Sequence, residues 1–408
     1  MKGRKLSCAA TLLVKLSLAF VSSLAAFYLA ELAIFFLDTR FVRTRENMAR
    51  QNGVPFDART LLEVIEDLQA QGLEAYPIVP PSLVVDFNGI GNDNRKLFSL
   101  GGVSRKTTVY CNESGEYAIY ESDEHGFNNP AGIWSQEPEV VLIGDSFAQG
   151  ACVGPGEDVA GQLRELGVNA LNLGMGGCGP LLDLAMMKEY AEFLQPKLVL
   201  WMYFEGNDLQ EIAREKTSFF AQYCFDSGFS QNLILRQAEI DLALMELIQK
   251  YKQKEIERIK EEKIRRQRKW ASIIKLEALR ARLSQVTTPS PRPGHPAPPD
   301  PMFETILEKA RQHTSSWGGK LCFVYLPEYY RYAGSVDHDS FHQRREVLAL
   351  VEKLGIPLID MHEVFLAQPD PLALFPFRIY GHYTARGYRL VAETIISHLQ
   401  SENIQVKK

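Results

Sequence analysis

An α/β fold built on a five-stranded parallel sheet is what this 408-residue sequence predicts, and three observations predict it. Five short apolar runs, at residues 139–144, 169–173, 197–203, 320–326 and 356–360, are β-branched or aromatic. Stretches of helical spacing separate them, the alternation that covers both faces of a parallel sheet with helices. Gly, Asn and Asp residues follow the first three runs, and loops at the carboxyl ends of such strands carry the chemistry.

The elements follow in order. Residues 16–37 contain one charged side chain, Glu31, and at 1.5 Å per residue they are long enough to cross a hydrocarbon core. The run exceeds a usual signal-peptide core and lacks an Ala-x-Ala-like exit, so residues 1–38 read as a short basic tail and a retained anchor in the lipid bilayer. Arg40, Arg43, Arg45 and Arg50 compete with Lys2, Arg4 and Lys5 under the positive-inside rule, and the body is expected outside the cytoplasm. Residues 39–135 read as a stalk helix over 40–71 and an irregular β preface with strand-like pieces at 107–110 and 117–120.

The first half of the core is expected over 136–232 and the second over 302–408. Between them, residues 233–283 hold no Gly or Pro and predict one or two long helices. From Lys250 to Lys269 there are ten Lys or Arg against four Glu, a face too polar for a core, so the stretch is expected in solvent or against a partner protein or anionic surface. A proline-rich tether, 287–301, closes this 233–301 insertion.

A formal charge of −5 gives no global reason to bind nucleic acid. The cysteines at 8, 111, 152, 178, 224 and 322 lack the paired spacing of a zinc site, and neither metal nor cofactor is expected. Cys152 and Cys178 lie near two of the blocks described next, yet free buried thiols are the commoner fate of scattered cysteines.

Four blocks carry chemistry. Gly144-Asp145-Ser146 ends the first run and opens a helix, exposing a hydroxyl at the sheet edge; a serine there often serves only as an N-cap. Asn172-Leu173-Gly174-Met175-Gly176-Gly177 follows the second run, Glu205-Gly206-Asn207-Asp208 the third, and His382 precedes a helix near the carboxyl end. In this order the blocks resemble those of the SGNH (GDSL-like) hydrolase superfamily, over roughly residues 120–400 without the insertion. The segment from Asp123 to Asn129 resembles a lead-in found before this domain in membrane-anchored bacterial members.

The resemblance implies a three-layer, flavodoxin-like α/β/α fold and a serine esterase or O-acyltransferase. It makes Ser146 the nucleophile and His382 the base, with His362 in reserve. The backbone N–H groups of Ser146 and Gly177 and the Asn207 amide would form an oxyanion hole, with Gly174 or Gly176 as alternatives to Gly177; Asp145, Gly174 and Asp208 would support the site. An acetyl ester of an extracytoplasmic glycan is the implied substrate.

One position departs from the pattern. Where the superfamily carries an aspartate three residues before the histidine, this chain has Ile379. Asp360, at the end of the last run, is the expected substitute, with Asp370 or a backbone carbonyl behind it. Three rival readings follow: a degenerate fold that binds glycan or supports polysaccharide assembly, a dinucleotide fingerprint, Gly174-x-Gly176-x-x-Gly179, and a scaffold whose basic helix recruits a partner while the core is a passenger. Asn112-Glu113-Ser114 fits a glycosylation acceptor, a match that carries no weight in the functional reading.

Overall fold

The computed structural model describes residues 8–41, 45–91, 96–267, 275–276, 279–280, 299–334 and 341–402. The proline-rich tether up to residue 298 lies outside them. The chain divides into two compact units, residues 1–44 with 252–294, and residues 45–251 with 295–408.

In the first unit, helix Cys8–Phe41 includes 22 residues, Leu12–Ala33, long and apolar enough to cross a membrane. Its one acidic residue, Glu31, is buried and accepts the Leu279 backbone N–H at 2.6 Å. A carboxylate in an apolar stretch needs such a donor, because desolvating it unpaired costs several kcal/mol or more.

The second unit holds both sheets. The larger consists of β4 (Val140–Gly144), β5 (Ala170–Asn172), β6 (Leu198–Phe204), β7 (Lys320–Leu326) and β8 (Leu358–Asp360), all parallel, in the order β5-β4-β6-β7-β8. Residues alternate between faces with the period of two that a strand imposes. Val141, Ile143, Val199, Trp201, Tyr203 and Phe323 enter one buried layer, while Val140, Leu142, Leu200, Met202 and Val324 enter the other. Burial on both faces accounts for the continuous apolar runs. The chain passes from β4 to β5 on one side and to β6 on the other, so the order reverses at the carboxyl end of β4, the place where open α/β sheets form their ligand crevice.

The preface is part of this unit. β1 (Ala75–Pro77) pairs parallel with β2 (Thr107–Val109), which pairs antiparallel with β3 (Ile119–Glu121). The single stalk helix expected over 40–71 is two helices, Arg45–Gln51 and Leu61–Ala70, parted where Gly53 takes a φ of +68° and Pro55 follows. Thr60 and Glu63 form a capping box on the second, and its Val64 and Ile65 pack on Ala75 and Val109.

The insertion also begins later than expected. Helix Gln237–Gln267 buries Ile240, Leu244, Leu247 and Ile248 in the main core, a stripe at i, i+4, i+7 and i+8, so the excursion starts near residue 251 rather than 233.

Candidate active site

Ser146 opens the short helix Ser146–Gln149 directly after β4. Gly144 makes the turn possible: its φ is +149°, and a Cβ there would lie 2.6 Å from the Met202 carbonyl oxygen. Asp145 caps the helix, its Oδ1 accepting the Phe147 N–H at 2.8 Å, and burial pushes its carboxyl up to about 6. The Phe147 ring stacks on Phe204 and lies 4.8 Å from the His382 ring, giving the imidazole an apolar wall.

His382 precedes helix Ala385–Ser401, which Thr384 caps. Its Nε2 lies 2.9 Å from Ser146 Oγ, so the structure brings together two residues 236 apart in the chain. The carboxylate beside the ring is Glu113, not Asp360. Glu113 Oε2 lies 3.2 Å from His382 Nδ1 and accepts the His382 backbone N–H at 2.7 Å. Arg45 Nη2 holds the other oxygen at 2.5 Å and also donates to the Tyr380 carbonyl at 3.0 Å. Burial acts to raise the Glu113 carboxyl, but the hydrogen bond and charge of His382 and the charge of Arg45 outweigh it and hold the group below its ordinary value.

The acids expected there serve elsewhere. Asp360 caps helix Met361–Leu366 through the His362 N–H and is paired with Arg344. Asp370 is paired with Arg378, and His362 is buried with its Nδ1 3.1 Å from the Tyr332 hydroxyl. Both acids stand at the end of the last strand and in the loop after it. The acid arrives instead from the preface, between β2 and β3, across 269 residues of sequence.

Cys111 and Cys152 form a disulfide, while Cys178, Cys224 and Cys322 are buried free thiols. Glu113, Cys152 and His382 converge closely enough to suggest a metal, but the Cys152 sulfur is bonded to Cys111 and has no thiolate to offer.

The glycine loop is sorted by its hydrogen bonds. The Gly174 N–H donates to Asn172 Oδ1 and the Gly176 N–H to Gln149 Oε1, each at 2.8 Å. Among the described residues the Gly177 N–H meets no acceptor, and its φ of +75° turns the loop there. The Asn207 side chain likewise bonds to no described residue, and its Oδ1 is buried without a partner. The neighbouring Asp208 is fully buried and accepts the Phe204 N–H at 2.9 Å.

No dinucleotide site results from this loop. The N-terminus of helix Pro180–Met186, where a pyrophosphate would sit, is filled by Glu215, which accepts the Gly179 and Leu181 N–H groups at 2.7 and 2.9 Å. Glu205 is equally engaged, with both oxygens held by the buried Arg331 guanidinium.

The lead-in motif is structural. Asp123 accepts four hydrogen bonds, from the His125 and Phe127 N–H groups, the Asn129 amide and the Trp134 indole, at 2.8–2.9 Å. Asn129 then exchanges hydrogen bonds with the Asn172 backbone, fixing the strand end that leads into the glycine loop.

No known family and no curated protein matches the sequence. Several solved structures match. A member of the lipolytic G-D-S-L family from Veillonella parvula aligns at 13% identity over 64% of this chain and 97% of its own, with a TM-score of 0.34. A lipase/acylhydrolase from Enterococcus faecalis aligns at 13% over 66% and 99%, TM-score 0.36, and an acetyl xylan esterase at 14% over 64% and 98%, TM-score 0.34.

Proposed function

We propose that this chain is a membrane-anchored serine esterase or O-acyltransferase of the SGNH type, acting through an acyl-serine. One observation carries the reading: the imidazole of His382 joins the Ser146 hydroxyl on one side to an ionised carboxylate, Glu113, on the other. A proton on Nδ1, 3.2 Å from Glu113 Oε2, leaves Nε2 with its lone pair toward the hydroxyl. Ser146 Oγ attacks the ester carbonyl as His382 takes its proton, and the imidazolium formed is stabilised by Glu113. The proton then passes to the leaving alcohol. Water or a second hydroxyl releases the acyl group by the reverse steps, which is the only difference between hydrolase and transferase.

The oxyanion of each tetrahedral intermediate would meet the N–H groups of Ser146 and Gly177 and the Asn207 amide. The free Gly177 N–H, against the occupied ones of Gly174 and Gly176, supports this choice, and each such donor contributes a factor of roughly 10²–10³ in rate. Glu113, beside the imidazole where the pattern's aspartate is missing, supports the catalytic reading over a degenerate fold.

A glycan ester suits the rim. The rings of Tyr330 and Tyr380 stack at 5.3 Å, both about half exposed, and Tyr380 lies two residues from His382. Such a shelf offers a flat apolar face with hydroxyl edges, suited to a sugar ring. An oxidising, extracytoplasmic compartment suits the disulfide.

The test is hydrolysis of 4-nitrophenyl acetate by the full chain in detergent, beside its Ser146→Ala variant, with fluorophosphonate labelling of both. Loss of turnover and labelling in the variant supports the reading; equal rates reject it. Acetate release from O-acetylated oligosaccharides, weakened in Tyr330→Ala relative to the aryl ester, is the result expected for a glycan substrate.

A further inference from the structure

We infer that the Cys111–Cys152 disulfide is a positioning element for the active site, holding Glu113 in register with His382, so that its reduction disables catalysis without unfolding the protein. The inference rests on the reading of Ser146, His382 and Glu113 given above.

Glu113 does not stand on the large sheet. It lies in the connection between β2 and β3, whose base is closed by the Tyr110 N–H to Ala118 carbonyl and Ala118 N–H to Cys111 carbonyl hydrogen bonds, both 2.9 Å. Beyond that base, Asn112 and Gly115 tie the loop to the segment around Asp57, which is also preface. These bonds define the loop but do not fix it against the nucleophile.

The disulfide makes that connection. Cys152 lies in the turn that follows the nucleophile helix, and the preceding Ala151 N–H donates to the Ser146 carbonyl at 3.0 Å. Its φ of +62° is unfavourable for a residue with a side chain, so the turn must be held by what surrounds it. Cys152 Sγ also lies 3.8 Å from His382 Nδ1, against the ring edge that faces Glu113. On the other side, Cys111 is two residues from Glu113, a path of at most about 7 Å. One covalent bond therefore ties the acid's loop to the nucleophile's turn, across a sequence separation of 41, and its Cys152 sulfur lies against the base.

Without it, Glu113 keeps its ionic partners, Arg45 and His382, and its loop keeps its hydrogen bonds to the segment around Asp57, but the loop loses its covalent tie to the nucleophile's turn, and the preface is then held to the nucleophile helix by non-covalent contacts such as Gln149 Nε2 to the Tyr120 hydroxyl at 3.0 Å. A misplacement of about 1 Å in a catalytic group costs on the order of 10² in rate, and the effect belongs to kcat, since Glu113 meets the imidazole and not the substrate.

The chemistry balances with a phosphine: the phosphine takes one oxygen from water to become its oxide, and the disulfide becomes two thiols. A small-molecule disulfide reverses this by thiol exchange, leaving its own thiols.

The test measures kcat and KM for 4-nitrophenyl acetate in the full chain, the Cys111→Ser/Cys152→Ser variant, Glu113→Gln, and all three changes together. Expected is a 10- to 100-fold fall in kcat with KM within about threefold, and less than a threefold further loss when the cysteine changes are added to Glu113→Gln. In parallel, phosphine reduction of the unmodified protein should abolish most turnover while near-UV circular dichroism persists, with recovery on reoxidation. Unchanged kcat after reduction, or full additivity with Glu113→Gln, overturns the inference, as does loss of activity only in step with loss of the dichroism. If Glu113→Gln itself retains full activity, the fault lies in the assignment of the acid.

Discussion

Replacing Glu113 by glutamine keeps the size of the side chain and removes its charge, the property on which the proposed relay depends. The carboxylate stands 3.2 Å from His382 Nδ1, and both side chains are mostly buried, at 11% and 24% exposure. At an effective dielectric near 20, unit charges at that separation attract by about 5 kcal/mol, felt only once the imidazole is protonated in the transition state. At about 1.4 kcal/mol per decade this is between 10³ and 10⁴ in rate, and water at the exposed edge of the ring lowers it, so a loss near 10³ in kcat is expected. Steady-state hydrolysis of an aryl acetate reads it directly, with Asp360→Asn as the control that should stay within about threefold of the parent. A Glu113→Gln enzyme as fast as the parent, or a large loss confined to Asp360→Asn, would refute the assignment.

Asn207→Ala is expected to lower kcat by roughly 10²–10³ with little change in KM, through loss of one oxyanion donor. Arg331→Met leaves the fully buried Glu205 charge without its ion-pair partner, and urea denaturation should show a loss of about 3–5 kcal/mol. Asp183 is buried with neither oxygen hydrogen-bonded to a described residue, and burial, then the neighbouring charges of Glu215 and Asp145, raise its carboxyl well above the ordinary 3.8. A raised folded value makes stability fall as pH climbs above 3.8, so Asp183→Asn should melt higher than the parent at pH 8, with the gap closing toward pH 4. Glu113 has the opposite sign: its stabilisation is complete above its ordinary 4.5 and is lost as pH falls through its lower folded value, so the acid-side decline in melting temperature should shrink in Glu113→Gln.

What the sequence made legible was whatever local pattern encodes. Strands such as residues 198–204 are buried on both faces, and such strands announce themselves as unbroken apolar runs. Ser146 and His382 each sit beside a secondary-structure boundary with its own signature, a strand-to-helix turn and a Thr384 cap. Glu113 has none. It lies in an irregular loop, and its place beside His382 follows from long-range packing, whereas the family pattern points to an acid near residue 379 and so to Asp360. The disulfide was hidden for the same reason, since spacing cannot pair cysteines. Helix Gln237–Gln267 holds two environments in one unbroken stretch, packing on the core up to Ile248 and strongly charged beyond it, so no local signal marks where the excursion begins.

The dependence of the site on the preface has a consequence for how the protein is made. Translation delivers Arg45 and Glu113 early, Ser146 soon after, and His382 only when most of the chain has left the ribosome. A hydroxyl without its imidazole is an ordinary alcohol, so a nascent or prematurely terminated chain carries a finished nucleophile turn with no means of activating it. On the function proposed above, competence toward esters waits until His382 has been synthesised and brought beside Ser146.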